Sequence, residues 1–315
     1  MTEKKKTVLI LGAGASHGYG FPVGSGLRKK ILSLRDDQVA SNAMSIGLQS
    51  IRQFTDAFKT AQSYSIDSFL ARRSEFVGVG KAAIAYVLLQ CESKADVFNE
   101  ENPDHWYQYL VNKLTTDAWD SFDPSWLSIV TFNYDRSLIH YLVTAIQNTY
   151  NKSLEEVVHR LKALEIVHVY GSLGDPFQLG KNFSIPFGGI DEDNFHIYVK
   201  EAAKELVIIP EGRNESPTVE AAQKKIQSAQ QIGLLGFGFD PTNIRRLGAP
   251  NSFLQNVDVG IQKHAVGTRK GLTRAESMKA ISQLFGVDAH MPMTQLDLFH
   301  EKNCIETLRE TLILD

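Results

Sequence analysis

The stretch TVLILGAGASHGYGFPVGSGL, residues 7–27, decides how the rest of the chain is read. Residues 7–11, TVLIL, form a short apolar run closed by a glycine turn. A run with no polar alternation is the pattern of a strand buried on both faces, as in a parallel sheet. A helix then starts near Gly24 and runs through LRKKILSL. Strand, glycine turn and helix make the first unit of a doubly wound α/β fold. The spacing Gly12-x-Gly14-x-x-His17 puts a histidine where a dinucleotide fingerprint has its third glycine. Asp36 and Asp37 stand about 20 residues further on, where such a fingerprint has an acidic residue, but no strand precedes them. An ordinary dehydrogenase fits poorly.

Working outward, the 315 residues suffice for one large domain or a core with an insertion, and 43% hydrophobic against 22% charged residues argues for a packed core. A net charge of −3 is not that of a general nucleic-acid binder, so no direct nucleic-acid binding is expected. The basic start MTEKKK and the apolar run behind it imitate a signal peptide, but the run is too short and ends in a glycine turn. No segment approaches the ~20 apolar residues of a membrane span. A cytoplasmic protein with no membrane contact is expected. Cys91 and Cys304 form no CxxC pair, so a four-cysteine zinc site is excluded and no metal site is expected.

Residues 42–118 read as mainly helical, with apolar spacing of i, i+3, i+4 in SIDSFLARRSEFVGVGKAAIAYVLLQCES and HWYQYLVNKLTTDAW. Strand character returns in WLSIVTFN (126–133), EIVHVYGS (165–172), ELVIIPE (205–211), IGLLGFGFD (232–240) and DVGIQKHAV (258–266). Helices are expected from Asp135 to about Gln147, after the Ser216-Pro217 start, and twice near the C-terminus, with 173–200 an irregular loop region. The expected fold is a Rossmann-like, doubly wound parallel sheet in a single domain. Residues 7–34 and 126–315 form its core and 35–125 a helical insertion.

Ligands of such sheets sit outside the carboxyl ends of the strands. Four polar clusters fall there: GAGAS, FNYD, HVYGS and GFGFD. The order GAGAS, three residues, GFP resembles the sirtuin signature, with Gly12, Ala13, Gly14, Ser16, Gly20 and Pro22 in register. TFNYD, with Thr131, Asn133 and Asp135, resembles the sirtuin T-x-N-x-D motif. HVYGS resembles its histidine–glycine strand, and LLGFGFD its late glycine-rich strand end. YSIDSFLARR resembles a segment of the bacterial sirtuin-like proteins of phage defence.

The resemblance implies NAD+ as substrate, bound by Gly12, Ala13, Gly14, Ser16, Pro22, Tyr134, Tyr170, Gly171, Gly236, Gly238 and Asp240. Without the zinc module of the protein deacylases, it implies the NAD+ glycohydrolase branch. That is an anti-phage effector that depletes NAD+, assembles as a homo-oligomer and works with a hexameric HerA-like DNA-translocase ATPase or an Argonaute. Cleaving the nicotinamide–ribose bond requires the carboxamide to be oriented, the sugar cation stabilised and water positioned. Asp135 would orient the carboxamide, Asn133 the ribose or water, and a histidine would act as base. The sirtuin base directly precedes the glycine, and here that residue is Tyr170. His168, on the same strand face if the strand is regular, is read as the base, with Tyr170 either supporting the site from behind or contacting ribose; the rival role of His168 is that of a satisfied core histidine. Two other functions stay in view: an NAD+ or ADP-ribose-binding scaffold without turnover, and a protein deacylase. Asp67 is read as a helix N-terminal residue, His17 and Tyr19 as exposed loop residues, and the aromatics of HWYQYL as core packing. Arg245 and Arg246 either face solvent or reach the ligand.

Overall fold

The computed structural model describes residues 4–63, 65–177, 184–189, 191, 193–210, 216–253, 263–286 and 299–315. Six strands make one sheet: β1 (Thr7–Leu11), β2 (Leu127–Thr131), β3 (Glu165–His168), β4 (Gln231–Leu235), β5 (His264–Thr268) and β6 (Phe299–His300). Their order is β3-β2-β1-β4-β5-β6 and every pairing is parallel. This is a Rossmann-like sheet, whose order reverses between β1 and β4. All five residues of β1 and of β4 are buried, so both faces of the sheet centre are covered. β1 registers on both neighbours, Leu9 against Ile129 of β2 and Gly233 of β4.

Between β1 and β2 the described regular structure is entirely helical. Its centre is the helix Val77–Leu89, in which Val79, Gly80 and every residue from Ala82 to Leu89 are buried. An apolar helix with no polar face must be covered on all sides. The helices Gly24–Ser33, Gln38–Met44, Leu48–Thr60 and Ile66–Arg72 pack against it, and so does Phe195–Glu205 from beyond β3. A buried ion pair ties the layer to the sheet: both carboxylate oxygens of Glu92 accept from Arg136, at 2.7 and 2.9 Å, with each side chain 1% exposed. Arg136 also donates to the carbonyl of Ile185 at 2.7 Å. The HWYQYL aromatics are core: Trp106 and Tyr107 are fully buried, and the Trp106 indole donates to the Ala15 carbonyl at 2.8 Å.

Four expectations need correction. ELVIIPE is not a sheet strand: Glu205 ends a helix, and over 206–210 the extended chain keeps one backbone bond to the β3 side, from Val207 N to Tyr170 O. Residue 211 lies outside the described residues. The region 173–200 is not all loop, because a helix starts at Phe195, although 178–183, 190 and 192 are not described. The sixth expected strand moves to His264–Thr268, with 258–262 outside the described residues. β2 ends at Thr131 and β3 at His168, both earlier than expected, with one further backbone bond beyond each, Phe132 N to Leu11 O and Val169 N to Thr131 O.

Candidate active site

The site is built on the turns that follow β1, β2, β3 and β4. After β1 the chain enters a 3-10 helix, Ala13–Tyr19. Its glycines meet the turn after β4: Gly12 N donates to Leu235 O and Gly14 N to Gly236 O, both at 3.0 Å. A Cβ on Gly12 would lie 2.6 Å from Gly236 O, and one on Gly236, whose φ is +56°, 2.0 Å from Ala15 N. These glycines let two turns touch backbone to backbone. Their amides serve the sheet end, not the open phosphate cradle expected from the fingerprint. Gly171, at φ +73°, plays a similar part against the Glu205 carbonyl, where a Cβ would come to 2.1 Å.

Asn133 sits at the centre. Its Nδ2 donates to Gly12 O at 2.9 Å and to Ser16 Oγ at 3.1 Å. A backbone carbonyl only accepts, so the amide orientation is fixed and the side-chain oxygen is the atom left for a ligand. Asp135, also buried, uses Oδ1 to accept from the amide and hydroxyl of Ser137, which starts the helix Ser137–Tyr150. His168 Nδ1 lies 3.1 Å from the Asn133 carbonyl, so Nδ1 carries the proton and Nε2 the free lone pair of the neutral ring. Burial holds the His168 pKa below the ordinary 6.5, while the Asn133 bond and the Asp135 charge pull the other way.

Two cavities meet along Ser16, Asn133 and Asp135. One, of about 110 Å³, is lined also by Ala13, Pro22, Tyr134 and Asp67. The other, of about 20 Å³, reaches Thr131 and His168. That is room for a single water with several polar partners. A third cavity, of about 550 Å³, shares Ser65 with the first and carries Asp240, Arg72 and Thr242. Gly12, Gly14, Tyr170, Gly171, Gly236 and Gly238 line none of the three.

His168 and Tyr170 have different surroundings: His168 lines the cavity of about 20 Å³ and Tyr170 does not. Tyr170 packs edge-on to Phe132 and beside Tyr134, donates to Asn243 Oδ1 and accepts from Arg246. Arg246 is buried, not on a solvated face, and donates to Ile209 O at 3.0 Å, with its Nε unpartnered among the described residues. Burial pushes the Tyr170 hydroxyl pKa well up, which excludes it as a base near neutrality. Asp240 caps the helix Pro241–Arg246 through Thr242 N and Asn243 N, at 2.8 and 3.2 Å. Tyr19 is buried and stacks on Tyr107 at 3.6 Å, whereas His17 is exposed.

Sequence reasoning missed Asp67. It does lie in the first turn of the helix Ile66–Arg72, behind the Ser65 cap. Its carboxylate also accepts from the Tyr134 hydroxyl and borders the 110 Å³ cavity. Only the proximity of SIDSFL to NYD in the fold reveals this. Burial pushes the Asp67 carboxyl above the usual range, against the pull of Tyr134, Ser65 and Arg246. Cys91 is half-buried and Cys304 buried, both as free thiols. No helix among the described residues is long and apolar enough to cross a membrane. Compared with known proteins, the chain matches no family model and no curated sequence.

Proposed function

We propose that the protein is an NAD+ glycohydrolase that cleaves NAD+ to nicotinamide and ADP-ribose. One observation carries this reading: Ser16, Asn133 and Asp135 stand between a cavity of about 110 Å³ and a water-sized one of about 20 Å³ lined by His168, which also borders a further cavity of about 360 Å³. The nicotinamide ring enters the larger cavity. The Asn133 oxygen and the free Asp135 oxygen hold the ribose and carboxamide. The C1′–N bond breaks with its electron pair passing to the ring nitrogen, which neutralises the pyridinium. Water from the smaller cavity adds through oxygen to C1′, and its proton passes to His168 Nε2. The pyrophosphate and adenosine extend toward the cavity of about 550 Å³ beside Asp240. Gly12, Gly14, Tyr170, Gly171, Gly236 and Gly238 act by holding this frame.

An enzyme that empties the NAD+ pool has to be silenced between uses. The reading therefore includes a homo-oligomeric effector of anti-phage defence, controlled by a second protein such as a HerA-like ATPase or an Argonaute. Incubation with NAD+, with and without an acyl-lysine peptide, tests the reaction class. Equal nicotinamide and ADP-ribose independent of peptide is expected; release that requires peptide and yields 2′-O-acyl-ADP-ribose would make it a deacylase. A second reading, a dinucleotide-binding scaffold, is favoured by the commitment of both Asn133 amide protons and by Tyr170 at the usual base position. It predicts binding without nicotinamide release.

A further inference from the structure

The cavity of about 110 Å³ has an unusual charge balance. Its walls are apolar at Phe21, Leu27, Leu88 and Phe132, its titratable lining groups are Asp67, Tyr134 and Asp135, and among the described residues no lysine, arginine or histidine lines it. Asp67 comes from the helical segment between β1 and β2, Asp135 from the turn after β2, so folding brings two carboxylates from distant sequence to one small apolar space. Asp67 is held there: Oδ1 accepts from Tyr134, and Ser65 Oγ donates to Oδ2 at 3.3 Å.

The two carboxylates make the described lining of this largely apolar cavity acidic, with the nearest cation, the Arg246 guanidinium, set back behind Tyr134 and Tyr170. The ligand that complements this lining is flat, apolar and positive. An N-ribosyl pyridinium ring has those properties, and its reduced dihydropyridine form lacks the charge. We infer that Asp67 is a specificity-determining residue whose carboxylate selects the oxidised, cationic form of the dinucleotide over the reduced one. The inference rests on the NAD+ reading above. Asp135 shares the cavity and keeps one oxygen free for the ribose and carboxamide, whereas Asp67, with both oxygens accepting from Tyr134 and Ser65, acts on the ring through its charge.

The groups facing Asp67 are Tyr134 and Ser65 in contact, with Tyr170 and the Arg246 guanidinium behind Tyr134. Burial raises the Asp67 pKa, so acid neutralises it before an ordinary aspartate, and a bound cation draws it back to the ionised form. Affinity for NAD+ therefore falls with acid while affinity for NADH does not.

The test measures binding of NAD+ and NADH by calorimetry on the full chain carrying His168→Ala, which blocks turnover. Asp67→Asn keeps the acceptor for Tyr134 and removes the charge. It should weaken NAD+ binding at least about tenfold and leave NADH unchanged. Tyr134→Phe should keep the preference for NAD+. An identical NAD+ to NADH ratio with and without Asp67→Asn overturns the inference. Should Asp67→Asn fail to fold, the same ratio followed against pH without it decides: a ratio falling toward acid supports the inference and a flat one overturns it. A chain that binds neither dinucleotide removes the NAD+ reading along with it. Nicotinamide release by the wild type, together with an unchanged ratio, removes this inference alone.

Discussion

Asn133 has two amide protons, and the turn after β1 uses both. Gly12 O and Ser16 Oγ hold the side chain so that only its oxygen faces a ligand, and its own carbonyl orients His168. Three motifs far apart in sequence are thus joined by hydrogen bonds around one residue. His168 then has the free Nε2 and the lowered pKa of a base that is neutral at working pH, while Tyr170 is locked to Arg246 and Asn243. His168→Ala should reduce the rate of nicotinamide release by about 100-fold or more, the usual share of general-base catalysis. Tyr170→Phe should leave the residual rate within a few fold while lowering stability. Steady-state kinetics on both variants checks this, and the opposite ranking would move the base to Tyr170. The wild-type acid limb should lie below the ordinary histidine value of 6.5, because His168 is harder to protonate than a free imidazole. At this scale the sequence marked Asn133, Asp135 and His168 correctly as neighbours. It hid Asp67, whose role depends on a contact across 67 positions to Tyr134. The same-face reading of His168 and Tyr170 required a regular strand through Tyr170, and β3 ends at His168.

Among the elements, the ion pair between Glu92 and Arg136 fastens the helical layer to the helix after β2, one residue from Asp135. Removing one partner strands a buried charge, so Glu92→Ala should cost about 3–5 kcal/mol in denaturant unfolding. A loss under about 1 kcal/mol would show that the pair is solvated. The same helix carries His140, stacked on Phe187 at 4.2 Å with Nδ1 unpartnered among the described residues. Burial, with Lys94 and Arg136 nearby, lowers its pKa from 6.5 to about 4. The unfolded chain therefore takes up the proton first. The stability from neutral His140 is complete above 6.5 and is lost as pH falls toward about 4. The loss amounts to about 3 kcal/mol. Unfolding free energies across that window should fall less steeply in His140→Phe, and equal slopes would assign the acid sensitivity elsewhere.

Elements with local punctuation were legible in the sequence. Ser216 caps its helix through Val219 N at 3.2 Å, and TVLIL, with no polar residue, is the buried β1. ELVIIPE misled because an apolar extended segment looks the same whether or not a sheet edge takes it up. Among the described residues it meets β3's side at one backbone bond, Val207 N to Tyr170 O. β6 is described only at Phe299–His300, a span that carries no periodicity.

At the scale of the molecule, the strand order β3-β2-β1-β4-β5-β6 brings the ends of β1 and β4 together at the reversal of the sheet, and Gly12, Gly14 and Gly236 seal that seam. The expected parallel sheet is present, but the seam changes the meaning of its glycines. They close a backbone contact, and the two smaller cavities open instead beside the ends of β1 and β2, with the one of about 550 Å³ between the helical layer and the turn after β4. The central claim is cleavage of NAD+ in these cavities. Nicotinamide release from NAD+ by the full chain, alone and with the product of the adjacent gene, tests it most directly when run beside Asn133→Ala. The account predicts release in at least one of the two conditions and none from Asn133→Ala in either. No release under both conditions, from protein that still binds ADP-ribose, would contradict it.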